Sequence, residues 1–199
     1  MRAMQSLCLK WLLFMALGLA GGCSDEGVGL GRSASAQPTS VAKMKEGVRF
    51  TIDGPVFGAP TVFVVPGNRD NLQTYLSDSM FSVMFKAKSG LMSEDGKHRL
   101  DFIVFGIEPA SKGEFTDTSN VNEFSMGFTA HANTAQSQSV SMSFKYSKGS
   151  RQPVRLVVER YDTDSEKGGA AGHFTARMQR TNIKSNDQFY EAKGEFKVK

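Results

Sequence analysis

Asp162-x-Asp164-x-Glu166 is the densest acidic cluster in the chain, and it stands just before Gly168-Gly169. Carboxylate oxygens at alternating positions suit a hard cation such as Ca²⁺, so Asp162, Asp164 and Glu166 form a candidate calcium site. An EF-type loop requires Gly at its sixth place, where Lys167 stands, and a later bidentate Glu that is missing. The competing reading is a solvated hairpin tip whose charges keep strand ends in water. Three histidines, His98, His131 and His173, lie far apart in sequence. None makes the His-x-x-x-His or Glu-x-x-His spacing of a zinc hydrolase. Strand parity directs His131 and His173 away from the apolar positions, towards solvent. Met126 and Met142 with His131 offer soft ligands to copper. The two methionines share the core-facing parity and His131 the other, so core packing is expected instead. Asp101 is the lone charge of an apolar segment. Burial would raise its pKa and mark it as functional, whereas a structural carboxylate there would pair with an arginine or a backbone amide.

No catalytic machinery can be assembled from motifs. Gly-x-Ser-x-Gly, Gly-x-Gly-x-x-Gly and the P-loop pattern are absent. Gly27, Gly29 and Gly31 alternate without a preceding strand. The expectation is a protein with no enzymatic activity, no catalytic residue and no cofactor. Cysteine offers little more. Cys8 lies in the apolar leader, leaving Cys23 alone, so neither a disulfide framework nor a thiolate zinc site is available. The net charge is +4. Removing residues 1–22 takes away Arg2 and Lys10 and no acid, which leaves about +2. No cluster of five basic residues occurs, so nucleic acid is not an expected partner.

The elements that would position these residues read as strands. Apolar residues alternate with polar ones at Val48–Ile52, Phe81–Ala87, Phe124–Ala130, Val140–Tyr146, Val154–Val158, Phe174–Met178 and Tyr190–Val198. Alternation of period two places one face on a core and the other in water. Thr61–Val65 and Leu100–Ile107 are apolar on both parities, as expected of central strands covered on both sides. Asp95-Gly96 marks a hairpin turn, and Asp53-Gly54-Pro55 and Gly168-Gly169 punctuate similarly. Leu72–Met80 is the one segment that reads as a helical turn or two. The pattern predicts an all-β domain of about 8–10 strands, an antiparallel β-sandwich or flattened barrel. Residues 44–199 are its expected extent. Residues 24–43 contain no aromatic and are rich in Gly, Ser and Ala, the composition of a flexible tether. Its random-coil reach is about 25 Å.

The first 22 residues have the order of an export signal. Arg2 and Lys10 precede the apolar run Trp11–Ala20, and Gly21-Gly22 lead into Cys23. The run is about half of what a membrane-spanning helix needs. Small residues ending at a cysteine resemble a bacterial lipobox. That resemblance implies removal of residues 1–22, diacylation of Cys23 and a domain held at a membrane by its lipid. Ser24 after the cysteine implies sorting to the outer membrane, on its periplasmic side. The C-terminal stretch contains Tyr161-Asp162, then Gly172-His173-Phe174, then Gly194-Glu195-Phe196-Lys197-Val198. It resembles the corresponding part of small uncharacterised β-rich bacterial lipoproteins, and implies an exported β-domain without transferable catalytic residues. The expected role is therefore that of an envelope lipoprotein displaying a binding or structural domain to an envelope protein, glycan or lipid. Tyr75 and Phe115, if exposed together, would mark the contact surface. A carrier of a small apolar ligand or lipid, with the 15 Phe and 10 Met as a soft interior, is the alternative. An envelope hydrolase has least support.

Overall fold

The alternating segments named above, as far as they are described, lie in strands whose large apolar residues are buried in the computed structural model, which describes residues 44–68, 70–116, 120–144, 153–164, 168–181 and 188–199; Lys145 and Tyr146 of the Val140–Tyr146 segment lie outside them. Eleven strands are present among the described residues. In chain order they are β1 (Gly47–Asp53), β2 (Thr61–Pro66), β3 (Leu72–Leu76), β4 (Phe81–Met92), β5 (Arg99–Ile107) and β6 (Gly113–Thr116). There follow β7 (Val121–Ala130), β8 (Gln138–Ser143), β9 (Val154–Asp162), β10 (Gly169–Arg180) and β11 (Phe189–Val198). All pair antiparallel in one sheet ordered β2-β1-β11-β10-β8-β7-β5-β4-β3, with β9 beside the first part of β10 and β6 beside β9. The sheet is all-β and antiparallel as expected.

The sheet doubles back on itself because its long strand β10 changes neighbours. Ala176 and the residues before it pair with β9, whereas Gln179 and Arg180 pair with Ser143 and Met142 of β8. Two layers then face each other, β9-β10-β11-β1-β2 against β8-β7-β5-β4-β3. Aromatic rings fill the space between them. Phe105 stands 5.5 Å from Phe174 and 5.3 Å from Phe196, Phe124 stands 5.0 Å from Phe174, and Phe128 lies 5.2 Å from Phe63. Rings of this size dominate core burial and prefer such offset and edge contacts.

The two Gly-x-Phe motifs explain how so many rings fit. Gly172 pairs with Phe196 and Phe174 with Gly194, so each glycine lies opposite the other motif's ring. A Cβ on Gly194 would stand 2.5 Å from Phe50 Cβ and 2.7 Å from the Phe174 ring. Glycine is what lets aromatic side chains lie flat over the neighbouring backbone.

Three expectations are corrected. Leu72–Leu76 is the strand β3 and not a helix, because its pairing with Phe81–Phe85 decides the conformation over its weak local preference. β2 is an edge strand covered on one side, with Val64 exposed, and its apolar outer parity is therefore no sign of a central position. β5 does lie inside the sheet, yet Asp101, Phe102 and Val104 are only half-buried on its outer face. The strand irregularity between Leu100 and Phe102 shifts the register there, which obscures alternation in the sequence.

Opposite ends of the domain are closed differently. At one end Tyr161 packs its ring on Phe81 and its hydroxyl donates to the Ser77 carbonyl while accepting from the Ser77 amide. At the other, Phe57 of the β1–β2 loop inserts between His98, Phe128 and Tyr190, with ring centroids 5.0, 5.4 and 6.1 Å away. β1 runs from the first end to the second, so Met44–Glu46 lie at the Tyr161 end.

Candidate functional site

The acidic candidates of the sequence reading hold a turn. The Asp164 amide donates to Asp162 Oδ1 at 3.0 Å, and the Gly168 amide donates back to the Asp164 carbonyl. Asp162 and Asp164 are exposed, and Glu166 lies outside the described residues. Cys23 also lies outside them. Asp101 takes the structural alternative. Its Oδ1 accepts from Arg99 Nε at 2.8 Å and its Oδ2 from Thr129 Oγ1 at 2.9 Å, while Arg99 Nη2 also donates to Thr129. Donors saturate both oxygens of this half-buried carboxylate. Among the described residues, no three His, Cys, Asp or Glu side chains cluster as metal ligands would.

Parity places one histidine and misses the other. His173 projects from the outer face as expected, partly exposed, and its Nδ1 stands 3.1 Å from Glu159 Oε1. His131 closes β7 with φ at 49°, a left-handed turn that swings it off the strand's alternation. It thereby meets His98, which is 1% exposed, with ring centroids 5.0 Å apart. The His131 amide donates to His98 Nδ1 at 3.3 Å. That bond assigns the His98 proton to Nε2. Burial lowers the His98 pKa, with nearby Asp95 opposing the shift and His131 and Lys97 adding to it. Nothing in the spacing of residues 98 and 131 announces this pair, because β5–β7 pairing creates it.

Ser93, Asp95 and His98 share the β4–β5 turn, yet they do not form a nucleophilic relay. Ser93 Oγ donates to Asp95 Oδ1 at 2.6 Å and accepts from the His98 amide at 3.0 Å. The hydroxyl thus bonds to backbone and carboxylate, and the imidazole faces His131. A nucleophile needs a base within hydrogen-bond reach of its own proton. Here the three residues fix the hairpin predicted from Asp95-Gly96. The hydrogen bond to Ser93 is also the main reason the Asp95 carboxyl sits below its ordinary pKa.

The same end holds Tyr190 and Arg180 behind Phe57. Tyr190 is fully buried. Burial pushes its pKa up, and the charge and hydrogen bonding of the nearby Arg180 guanidinium oppose that shift. Arg180 Nη2 also donates to the Ser139 carbonyl at 2.9 Å. The cluster is a packed end wall with one buried cation, Arg180.

The two outer faces differ much more than the two ends. On the β9-β10-β11-β1 face, Arg155, Glu159, His173, Arg177, Glu191, Lys193, Glu195, Lys197, Arg49 and Asp53 project outward by parity. Glu114 of β6 receives two bonds from Arg155 at 2.7 and 2.8 Å. On the β4-β5-β7-β8 face, the register brings Met84, Val104, Ser125 and Ser143 into one row and Lys86, Phe102, Gly127 and Ser141 into the next. A third row holds Ser82, Gly106 and Glu123, and a fourth holds Arg99, Thr129 and Ser139 with Asp101 bonded to the first two. Met84 is exposed, and Phe102 lies over Gly127, where a Cβ would stand 2.2 Å from its ring. Of the expected contact residues, Tyr75 at the margin of this layer is exposed, whereas Phe115 is buried at 7% because its β6 strand covers the core beside β9. Flat, apolar surface with few charges is what marks an interaction surface.

This arrangement defines an all-β domain of antiparallel strands with a ring-packed interior. Compared with known protein families, curated proteins and solved structures, the chain has no significant match in any of the three.

Proposed function

We propose that this protein is a lipid-anchored envelope protein that displays its β-domain for binding, with the β4-β5-β7-β8 outer face as the contact surface. The anchor rests on Cys23 at the end of an export-type leader, followed by some twenty residues of tether composition. The contact surface rests on one observation. Ten charged or ionisable residues project from one face, whereas the other carries five, Lys86, Lys88, Arg99, Asp101 and Glu123, of which Arg99 and Asp101 bind each other, around Met84, Phe102 and Val104 among serines and glycines. Two acyl chains hold a domain stably at a membrane where one does so only marginally. Tethered in this way, the domain can turn its neutral face towards a neighbour in the envelope. The ring packing of Phe105, Phe124, Phe174 and Phe196 weighs against carriage of an apolar ligand between the layers.

The test of the anchor is intact mass and membrane fractionation after expression in a bacterial host. The wild-type chain should lose residues 1–22, gain acyl mass at Cys23 and sediment with membranes. Cys23→Ser should do none of these. A wild-type chain that is soluble and free of acyl mass would refute the anchor.

A further inference from the structure

We infer that the occupant of the neutral face is a second copy of this chain, packed face to face about a two-fold axis through Val104. The inference rests on the reading of that face as the contact surface. Its geometry follows from register. Met84 and Ser125 flank Val104 on β4 and β7. Lys86 stands two residues further along β4, level with Phe102 and Gly127, whereas Glu123 stands two residues back along β7, level with Gly106 and Ser82. Lys86 and Glu123 are thus disposed symmetrically about Val104, one strand to either side and one step in opposite directions. Both are exposed.

A two-fold axis lying in the face and crossing the Lys86–Glu123 line at right angles through Val104 exchanges the two residues. Each copy's Lys86 then meets the other's Glu123, making two ion pairs at the margins. Strands lie about 4.8 Å apart and two residues advance about 6.8 Å along a strand. On that grid the same operation lays Phe102 over the partner copy's Ser125, and Met84 over the hollow at Ser82 and Gly106. Bulky residues thus meet small ones while charge meets opposite charge, which is the self-complementarity an isologous contact requires. A lipid surface would call instead for a cluster of free basic residues, whereas on this face Arg99 is bound to Asp101 and Glu123 stands against Lys86 and Lys88. The area is modest, so attachment of both copies to one membrane strengthens the contact by raising their effective concentration.

The experiment uses the full chain in the envelope of a bacterial host, with Val104→Cys treated with a short bismaleimide. Thr175→Cys, on the charged face, is the comparison, and the chain with only Cys8 and Cys23 sets the background. The expected product has twice the chain's mass and forms at least about fivefold more with Val104→Cys than with Thr175→Cys. K86E should reduce it roughly tenfold, since two exposed ion pairs become like-charge contacts, and K86E/E123K should restore it to within about twofold. Lys86 and Glu123 are solvent-exposed, and unchanged circular dichroism of these variants would show that the fold survives. An adduct of any other mass would overturn the second copy while leaving the face a contact surface. No adduct above background would overturn both, and failure of the double variant to rescue would overturn the proposed pairing.

Discussion

The two outer faces of this domain are made by the same rule and come out differently. Each is the non-core parity of four or five antiparallel strands. On β9, β10, β11 and β1 that parity is filled with arginine, lysine and glutamate, the ordinary way to keep a sheet face in water. On β4, β5, β7 and β8 it carries serine and glycine around Met84, Phe102 and Val104, with half as many charges, two of them the bonded pair Arg99 and Asp101. Solubility alone does not call for the second solution. The contrast is what the proposed contact surface rests on.

Both faces depend on one interior, and Phe105 tests how strongly it couples them. Phe105→Ala removes contacts to Phe81, Phe124, Phe174 and Phe196 at once. A loss of about 3–5 kcal/mol of unfolding free energy is expected by chemical denaturation. A loss below about 1 kcal/mol would show that the layers do not share a packed core.

Glycines sharpen the comparison next. On Gly172 a Cβ would fall against the Val157 carbonyl at 1.9 Å, and backbone cannot yield without breaking the β9–β10 ladder. On Gly127 the obstacle is the half-exposed Phe102 ring, which can swing outward. Gly172→Ala should therefore cost about 1–3 kcal/mol and Gly127→Ala clearly less. Gly127→Ala should at the same time disturb contacts made through the neutral face. Equal costs would mean that Phe102 is held as rigidly as backbone.

Acid sensitivity gives the smallest effect, through His98 in the layer that bears β5. Burial holds the folded His98 pKa below its ordinary value. As pH falls through about 6.5, the unfolded chain takes up this proton before the folded chain does, so stability declines until the folded pKa is reached. The contribution to the slope is at most about 1.4 kcal/mol per pH unit. His98→Gln should flatten the dependence of unfolding free energy between pH 6.5 and lower values. An unchanged dependence would place the acid-sensitive group elsewhere.

What the sequence disclosed tracks local physics. Alternation from Phe81 to Ala87 and from Tyr190 to Val198 is legible because one face of each strand meets a core. Asp95-Gly96 is legible because a tight turn favours those residues, and Gly96 indeed has φ at 70°. β3 and β6 escaped because five- and four-residue strands carry too few positions to show a period. The His98–His131 pair escaped because it joins residues 33 positions apart through a left-handed turn that parity cannot anticipate. The neutral face is written in the sequence as serines and glycines between strand residues. Only the strand order gathers them into one surface.

Photo-crosslinking residues placed singly on each face in living cells test the central claim most directly. Positions 84, 104 and 125 on the neutral face, and 51, 175 and 193 on the charged one, are suited by parity and register. Covalent adducts from the first three, with none from the second three, are the predicted result. Adducts distributed evenly over both faces, or confined to the charged one, would contradict the assignment of binding to the β4-β5-β7-β8 surface.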